Sequence, residues 1–186
     1  RGRLAAGRLG FPAAGMFVRP NLNWKAPPLT DEAVEAFRRT RKQVGVRCVV
    51  AHGCYLVNLA SPDDALRRAG LAVTADELDR CGRLGIEYLV IHPGSHPDAA
   101  EGIARIADAL DQAMGRCRHR RPRLLLETTA GAGNTIGRSF EQLAAILARL
   151  RRPGRFGVCL DTCHVFAAGY GLRSAKAYRR TMQRFD

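Results

Sequence analysis

Five side chains able to ligate a metal stand at or just past the ends of apolar runs in this chain. Cys48-Val49-Val50-Ala51 leads into His52, and Tyr88-Leu89-Val90-Ile91 leads into His92. Leu124-Leu125-Leu126 leads into Glu127, and Gly157-Val158-Cys159-Leu160 into Asp161, with His164 three residues further on. Imidazole nitrogens and carboxylates in mixed sets suit zinc, with manganese and iron as competitors. No serine or cysteine at these ends has an adjacent base, so water activated by a metal is the better nucleophile. One histidine after a strand is more often structural than a ligand. Four consecutive runs ending in His, His, Glu and Asp are much harder to assign to structure alone.

The elements that must position these residues can be read from the same runs. They are short and lack alternation, as strands covered on both faces would be. In a parallel α/β protein all strand carboxyl ends open on one face, where residues distant in sequence converge. The ligand-type residues recur about every 35 to 40 residues, room for one strand and one crossover helix. Thr30 caps a helix running to about Val44, with Asp31 and Glu32 in its first turn. Thr74-Ala75-Asp76-Glu77 has the form of a capping box and predicts a helix from there to about Gly85. Ile103, Ile106, Ala107, Leu110 and Met114 follow helical spacing, as do Phe140, Leu143, Ala144, Leu147 and Leu150. A last helix is expected over Ala175 to Arg184, and an early strand over Gly15 to Val18. Five strands and about five helices make either an open doubly wound sheet or part of a (β/α)8 barrel, which usually needs about 250 residues.

A hydrophobic fraction of 46% and a charged fraction of 25% fit one globular domain. No apolar run approaches the roughly 20 residues that span a bilayer, so no membrane partner is expected. The six cysteines form no C-x-x-C pair, which predicts reduced thiols and a cytoplasmic protein. A net charge of +13 invites a polyanionic partner. The basic runs 38–42, 116–123 and 149–152, however, fall at helix ends just before strands, opposite the ligand-type residues, where cations complement the helix dipole. Composition therefore supports nucleic acid only weakly. The chain opens at Arg1, and Arg1 to Gly15 is rich in Arg, Ala and Gly; a truncated or mis-started segment is expected there rather than a transit peptide. Residues 1–14 are taken as irregular and 15–186 as the folded domain.

The loops after the strands narrow the choice. His92-Pro93-Gly94-Ser95-His96, the run from Leu126 to Thr135, the run from Val158 to Tyr170, and His52-Gly53-Cys54-Tyr55-Leu56-Val57-Asn58-Leu59-Ala60 closely resemble signatures of the endonuclease IV family. The resemblance covers roughly residues 44 to 186. It implies an incomplete (β/α)8 TIM barrel with about five or six βα units present, from a family of zinc-dependent apurinic/apyrimidinic endonucleases that carry three Zn2+ ions. Carried over by position, it makes His52, His92 and Glu127 the ligands of one zinc, with Glu127 bridging to a second. Asp161 would bind the second zinc and His164 the third. Tyr55 and Asn58 follow the first ligand on the DNA-facing side; for Tyr55 a core aromatic is an equal alternative. Asn23-Trp24-Lys25 resembles a loop that enters the minor groove, although Leu22 stands where a polar or basic residue is usual.

The implied reaction is hydrolysis of the phosphodiester 5′ to an abasic deoxyribose in double-stranded DNA, leaving a 3′-hydroxyl, by a monomer. The family's amino-terminal motif is not recognisable before Gly15, and the last two barrel strands are not present. The chain is therefore expected to be a partial one, with a single complete zinc site and impaired activity. Two alternatives remain at this point: a metal-dependent sugar isomerase or epimerase of a related barrel group, and a non-catalytic fragment that binds nucleic acid through charge.

Overall fold

The computed structural model describes residues 9–186; the first eight residues of the expected irregular segment lie outside the described residues. In chain order the elements are β1 (Ala13–Phe17), α1 (Asp31–Gln43), β2 (Cys48–His52), α2 (Asp64–Leu84), β3 (Tyr88–Ile91), the short β4 (Gly94–Ser95), α3 (Ala99–Arg116), β5 (Arg123–Glu127), the short β6 (Thr135–Ile136), α4 (Phe140–Leu147), β7 (Phe156–Cys159), α5 (Thr162–Ala167) and α6 (Ala175–Phe185). The first strand begins two residues earlier than the sequence predicts and ends one residue earlier.

The main sheet has the order β1-β2-β3-β5-β7, and every pairing in it is parallel. A doubly wound sheet reverses strand order at a switch point, whereas barrel strands follow one another around the wall. The unreversed order decides for the incomplete barrel. Strand side chains alternate between faces, and the register lines them up in rows. Ala51, Leu89, Leu124 and Phe156 form one row, all buried beneath the helices. His52, Val90, Leu125 and Gly157 form the next row, on the other face. Of these, His52, Leu125 and Gly157 are half-buried. Burial on both faces, as the apolar runs suggested, therefore holds for the helix side and only in part for the inner side.

Helices α1 to α4 cover the first face with apolar side chains. Val34 and Phe37 are the buried residues of α1, and Ile103, Ile106, Ala107, Leu110 and Met114 all face the core from α3. On α4 the buried set is Phe140, Leu143 and Ile146, while Ala144 is exposed. Local capping matches the sequence in α1, where Thr30 accepts from Ala33 N, and α6, expected over Ala175 to Arg184, spans Ala175–Phe185 behind Ser174 as its cap.

The capping box at Thr74 is not used. Helix α2 starts ten residues earlier, where Asp63 accepts from Ala65 N and Leu66 N. Thr74 is fully buried in mid-helix, its hydroxyl donating to Gly70 O, and Glu77 is fully buried as well. The helix ends where expected, at Gly85, whose φ of 73° favours glycine.

The basic runs lie at the amino-terminal ends of the strands, and some of their arginines hold main chain. Arg41 donates to Val46 O, Arg47 O and Gly85 O and pairs with Glu87, and Arg123 donates to Phe156 O. Among the described residues no helix is long and apolar enough to cross a membrane.

Candidate metal centre

The inner row ends in the ligand-type residues. His52 closes β2, Glu127 closes β5, and His92 and Asp161 stand just past β3 and β7 with the same parity along the chain. Adjacent strands lie roughly 4.8 Å apart, so side chains of one parity at neighbouring ends must meet. His52 Nε2 lies 3.0 Å and His92 Nε2 3.1 Å from the same oxygen, Glu127 Oε2. His164 Nδ1 lies 3.5 Å from the other oxygen, Oε1, and 3.9 Å from Asp161 Oδ1. Two triads with mutually close ligand atoms result, His52/His92/Glu127 and Glu127/Asp161/His164, and both contain Glu127. All five metal-ligand candidates from the sequence are thus brought together.

The electrostatics fit a cation. Glu127 is 6% exposed, with no guanidinium among its partners in the described residues. Burial would raise its carboxyl, but hydrogen bonds from His52 and His92, and their charge, outweigh it and hold the group at about 2. For His52 burial works downward, yet the bond to Glu127, the bond to Gly53 and the nearby carboxylates raise it. Gly53 O can only accept, so His52 Nδ1 donates to it at 2.8 Å, and Nε2 is left facing Glu127. Without metal, a proton on Nε2 satisfies both contacts. A divalent cation at that position would do the same, which is the sense in which these residues fit one.

The second triad is built differently. Asp161 is the N-cap of α5 and its Oδ1 accepts from His164 N at 2.8 Å. His164 Nδ1 lies 2.9 Å from Thr128 O, and Thr128 Oγ1 accepts from Asp161 N at 2.9 Å. Thr128, which sequence reasoning passed over, thereby ties the end of β5 to the end of β7. Its signal was its place directly after a strand-end ligand.

The DNA-facing candidates occupy the rim. Tyr55 is 51% exposed, so it is not a core aromatic, and its ring lies 5.1 Å from His52 and 5.4 Å from Phe17. Tyr55 N donates to Asn21 O, which joins its loop to the exposed Asn23-Trp24-Lys25 segment. That segment is also held from behind by Arg19, which donates to Trp24 O and pairs with Asp76 of α2. Asn58 braces the next loop: its amide donates to Ser95 O and accepts from Ser95 N and Ala60 N. A Cβ on Gly94 would lie 2.5 Å from the Asn58 oxygen, so this loop approach requires glycine.

Comparisons with known proteins follow the same lines. A family model described as xylose isomerase-like TIM barrel matches residues 4–185. A protein of Chloroflexus aurantiacus named "Probable endonuclease 4" is 41% identical over 180 residues, covering 96% of this chain and 63% of the relative. The crystal structure of endonuclease IV from Thermus thermophilus aligns at a TM-score of 0.86 and 34% identity, over 100% of this chain and 65% of that one. A D-psicose 3-epimerase from Clostridium cellulolyticum H10 aligns at 0.76 over 98% of this chain and 64% of that one, but at 17% identity, which speaks for the fold alone. The chain spans less than two thirds of the length of each of these relatives.

Proposed function

The chain belongs to the xylose isomerase-like TIM-barrel family, among the endonuclease IV proteins, and we propose that it is a zinc-dependent apurinic/apyrimidinic endonuclease of base-excision repair. The observation that carries this reading is the sharing of one buried carboxylate, Glu127, by two donor triads. His52, His92 and Glu127 would hold one zinc; Glu127, Asp161 and His164 would serve neighbouring ions. Clustered zinc supplies a nucleophile near neutral pH and charge to stabilise the leaving oxygen of a phosphodiester.

The chain's own residues supply the remaining parts. The half-exposed ring of Tyr55 stands beside the cluster, where it can stack against a nucleotide next to the gap left by a lost base. Asn23, Trp24 and Lys25 form an exposed rim on the same side, suited to the duplex backbone and groove. Asn58 acts behind them, holding the loop that follows His92. The substrate is double-stranded DNA with abasic sites, cut on the 5′ side to leave a 3′-hydroxyl, by a monomer. Six free cysteines suit a reducing cytoplasm.

The test is nicking of a duplex with one abasic site, with zinc supplied and then chelated, beside the Thermus thermophilus enzyme. Zinc-dependent incision 5′ to the site is expected. It should be slower than that of the Thermus enzyme, because the family resemblance implies three zinc ions while the described residues bring together two donor triads. Absence of zinc-dependent incision at any enzyme excess, while the Thermus enzyme cuts, overturns the proposal for this chain.

A further inference from the structure

Behind the first triad stands a carboxylate that the proposed chemistry does not use. Glu77 of α2 is 0% exposed. Its Oε1 accepts from Cys54 N at 2.8 Å, while its Oε2 has no hydrogen-bond partner among the described residues. It interrupts an apolar stripe, for Val73, Cys81 and Leu84 on the same helix are all buried. A carboxyl taken out of water costs stability unless its bonds are made good. Burial pushes this one up to about 7 despite the Cys54 bond and the charge of Arg19. A residue so unfavourable to the fold invites a role in the site.

The peptide between Gly53 and Cys54 connects it to the metal centre. The N–H of that peptide, on Cys54, donates to Glu77 Oε1, and its carbonyl, on Gly53, accepts from His52 Nδ1 at 2.8 Å. The two groups belong to one conjugated amide, so negative charge beside the N–H deepens the negative charge on the oxygen. A stronger acceptor at Gly53 O holds the proton on Nδ1 and makes Nε2 a better donor to a cation, as outer partners of ligating histidines do. The peptide is fixed from two further directions. Gly53 N donates to Val90 O at 2.8 Å. A Cβ on Gly53 would lie 2.8 Å from Ile91 Cγ2 and 3.2 Å from Glu77 Oε2, so glycine is what lets helix and loop approach this closely.

We propose that Glu77 is a positioning residue which, through the Gly53–Cys54 peptide, fixes the His52 ring with Nδ1 protonated and Nε2 directed at the cation position beside Glu127. The proposal rests on the reading of His52 as a metal ligand. It adds a member to the site that contacts neither substrate nor metal and acts only through the main chain.

Glu77→Gln keeps the size and an acceptor for Cys54 N but removes the charge. Zinc affinity, measured by competition with a chelator, should fall about tenfold, at the lower end of what losing an outer-shell partner costs. Thermal stability of the zinc-free protein should not fall, since a buried carboxyl has been replaced by a neutral amide. A role confined to packing would move stability and leave zinc affinity alone. Nitrogen NMR of the His52 ring in zinc-free protein, above the pH of its titration, gives a readout independent of metal. The wild type should show the Nδ1-protonated tautomer, and Glu77→Gln a mixture. Unchanged zinc affinity, or an unchanged tautomer in the variant, overturns the proposal. If the wild type bound no zinc at all, the proposed function would fail on that result, while the tautomer would still decide whether Glu77 governs His52.

Discussion

His52 and His92 approach Glu127 from the ends of β2 and β3, whereas Asp161 and His164 approach it as the N-cap and a first-turn residue of a short helix. The two triads share a carboxylate and differ in what else their members do. In the first, the outer nitrogen of His52 is held by a carbonyl, which leaves Nε2 free for a cation. In the second, one oxygen of Asp161 already caps α5, and His164 Nδ1 already faces Thr128 O. A cation at the first site would replace a proton; at the second it would meet side chains already partly engaged in bonds that shape the fold. Donor type and spacing alone are therefore a poor measure of readiness. What counts is whether another part of the structure already uses the donor atom.

The most severe way to break this picture is to remove what the triads share. Glu127→Gln keeps the side chain's size but deprives both triads of the carboxylate they share. Loss of an outer partner alone costs roughly 10- to 100-fold, so removing a ligand itself should lower zinc affinity and incision by about a hundredfold or more. Zinc titration with parallel nicking assays checks this. Retention of one tightly bound zinc by the variant would show that the triads are independent.

The pH dependence of the zinc-free protein sharpens the first triad. The Glu127 carboxyl is held near 2, below its ordinary 4.5, so its contribution is present above about pH 4.5 and is lost as pH falls toward 2. His52 is raised, so its contribution is full below its ordinary 6.5 and is lost as pH rises through the higher folded value. Between roughly pH 4.5 and 6.5 both are in place, and the pair should add up to about 3 kcal/mol. Unfolding midpoints across pH for chelated wild type and Glu127→Gln measure it. The same profile for both proteins would contradict the pairing.

The smallest effect expected is at the cap of the second triad. Asp161→Ala should destabilise the chain by about 1 kcal/mol through loss of the cap, and Asp161→Asn by only a few tenths. Chemical unfolding of the zinc-free variants separates them. If Asp161→Asn cost as much as alanine, the carboxylate would matter for its charge beside His164 rather than as a cap.

Local signals served well where the structure they describe is local. Thr30 followed by Asp31 and Glu32 marked a helix start that the structure keeps, because a cap involves residues only a few positions apart. Thr74-Ala75-Asp76-Glu77 carried an equally good start signal and is not one. The helix is capped instead at Asp63 and runs through Thr74, because its buried residues recur in every turn from Gly70 to Leu84. The burial of Glu77 depends on Cys54, 23 residues away, and nothing in a local pattern reports such a contact. An acidic residue on an apolar stripe was the trace it left. Asn58 is similar: the sequence placed it beside a ligand, but only packing shows its amide committed to Ser95.

The alternation of strands and helices and the donor types at the strand ends were legible in the sequence, because residue chemistry and a two-residue period are properties of a single strand. The strand and helix pattern alone left an open sheet and a barrel both open, and it was the resemblance of the loop signatures that implied the barrel and the sharing of Glu127. The tie from Thr128 to Asp161 and the place of Glu77 behind His52 were not legible. Those follow from the register between strands and from the packing of α2 against the loop after β2. Both depend on hydrogen bonds and contacts between residues far apart in the chain, which only the folded molecule brings within reach of one another.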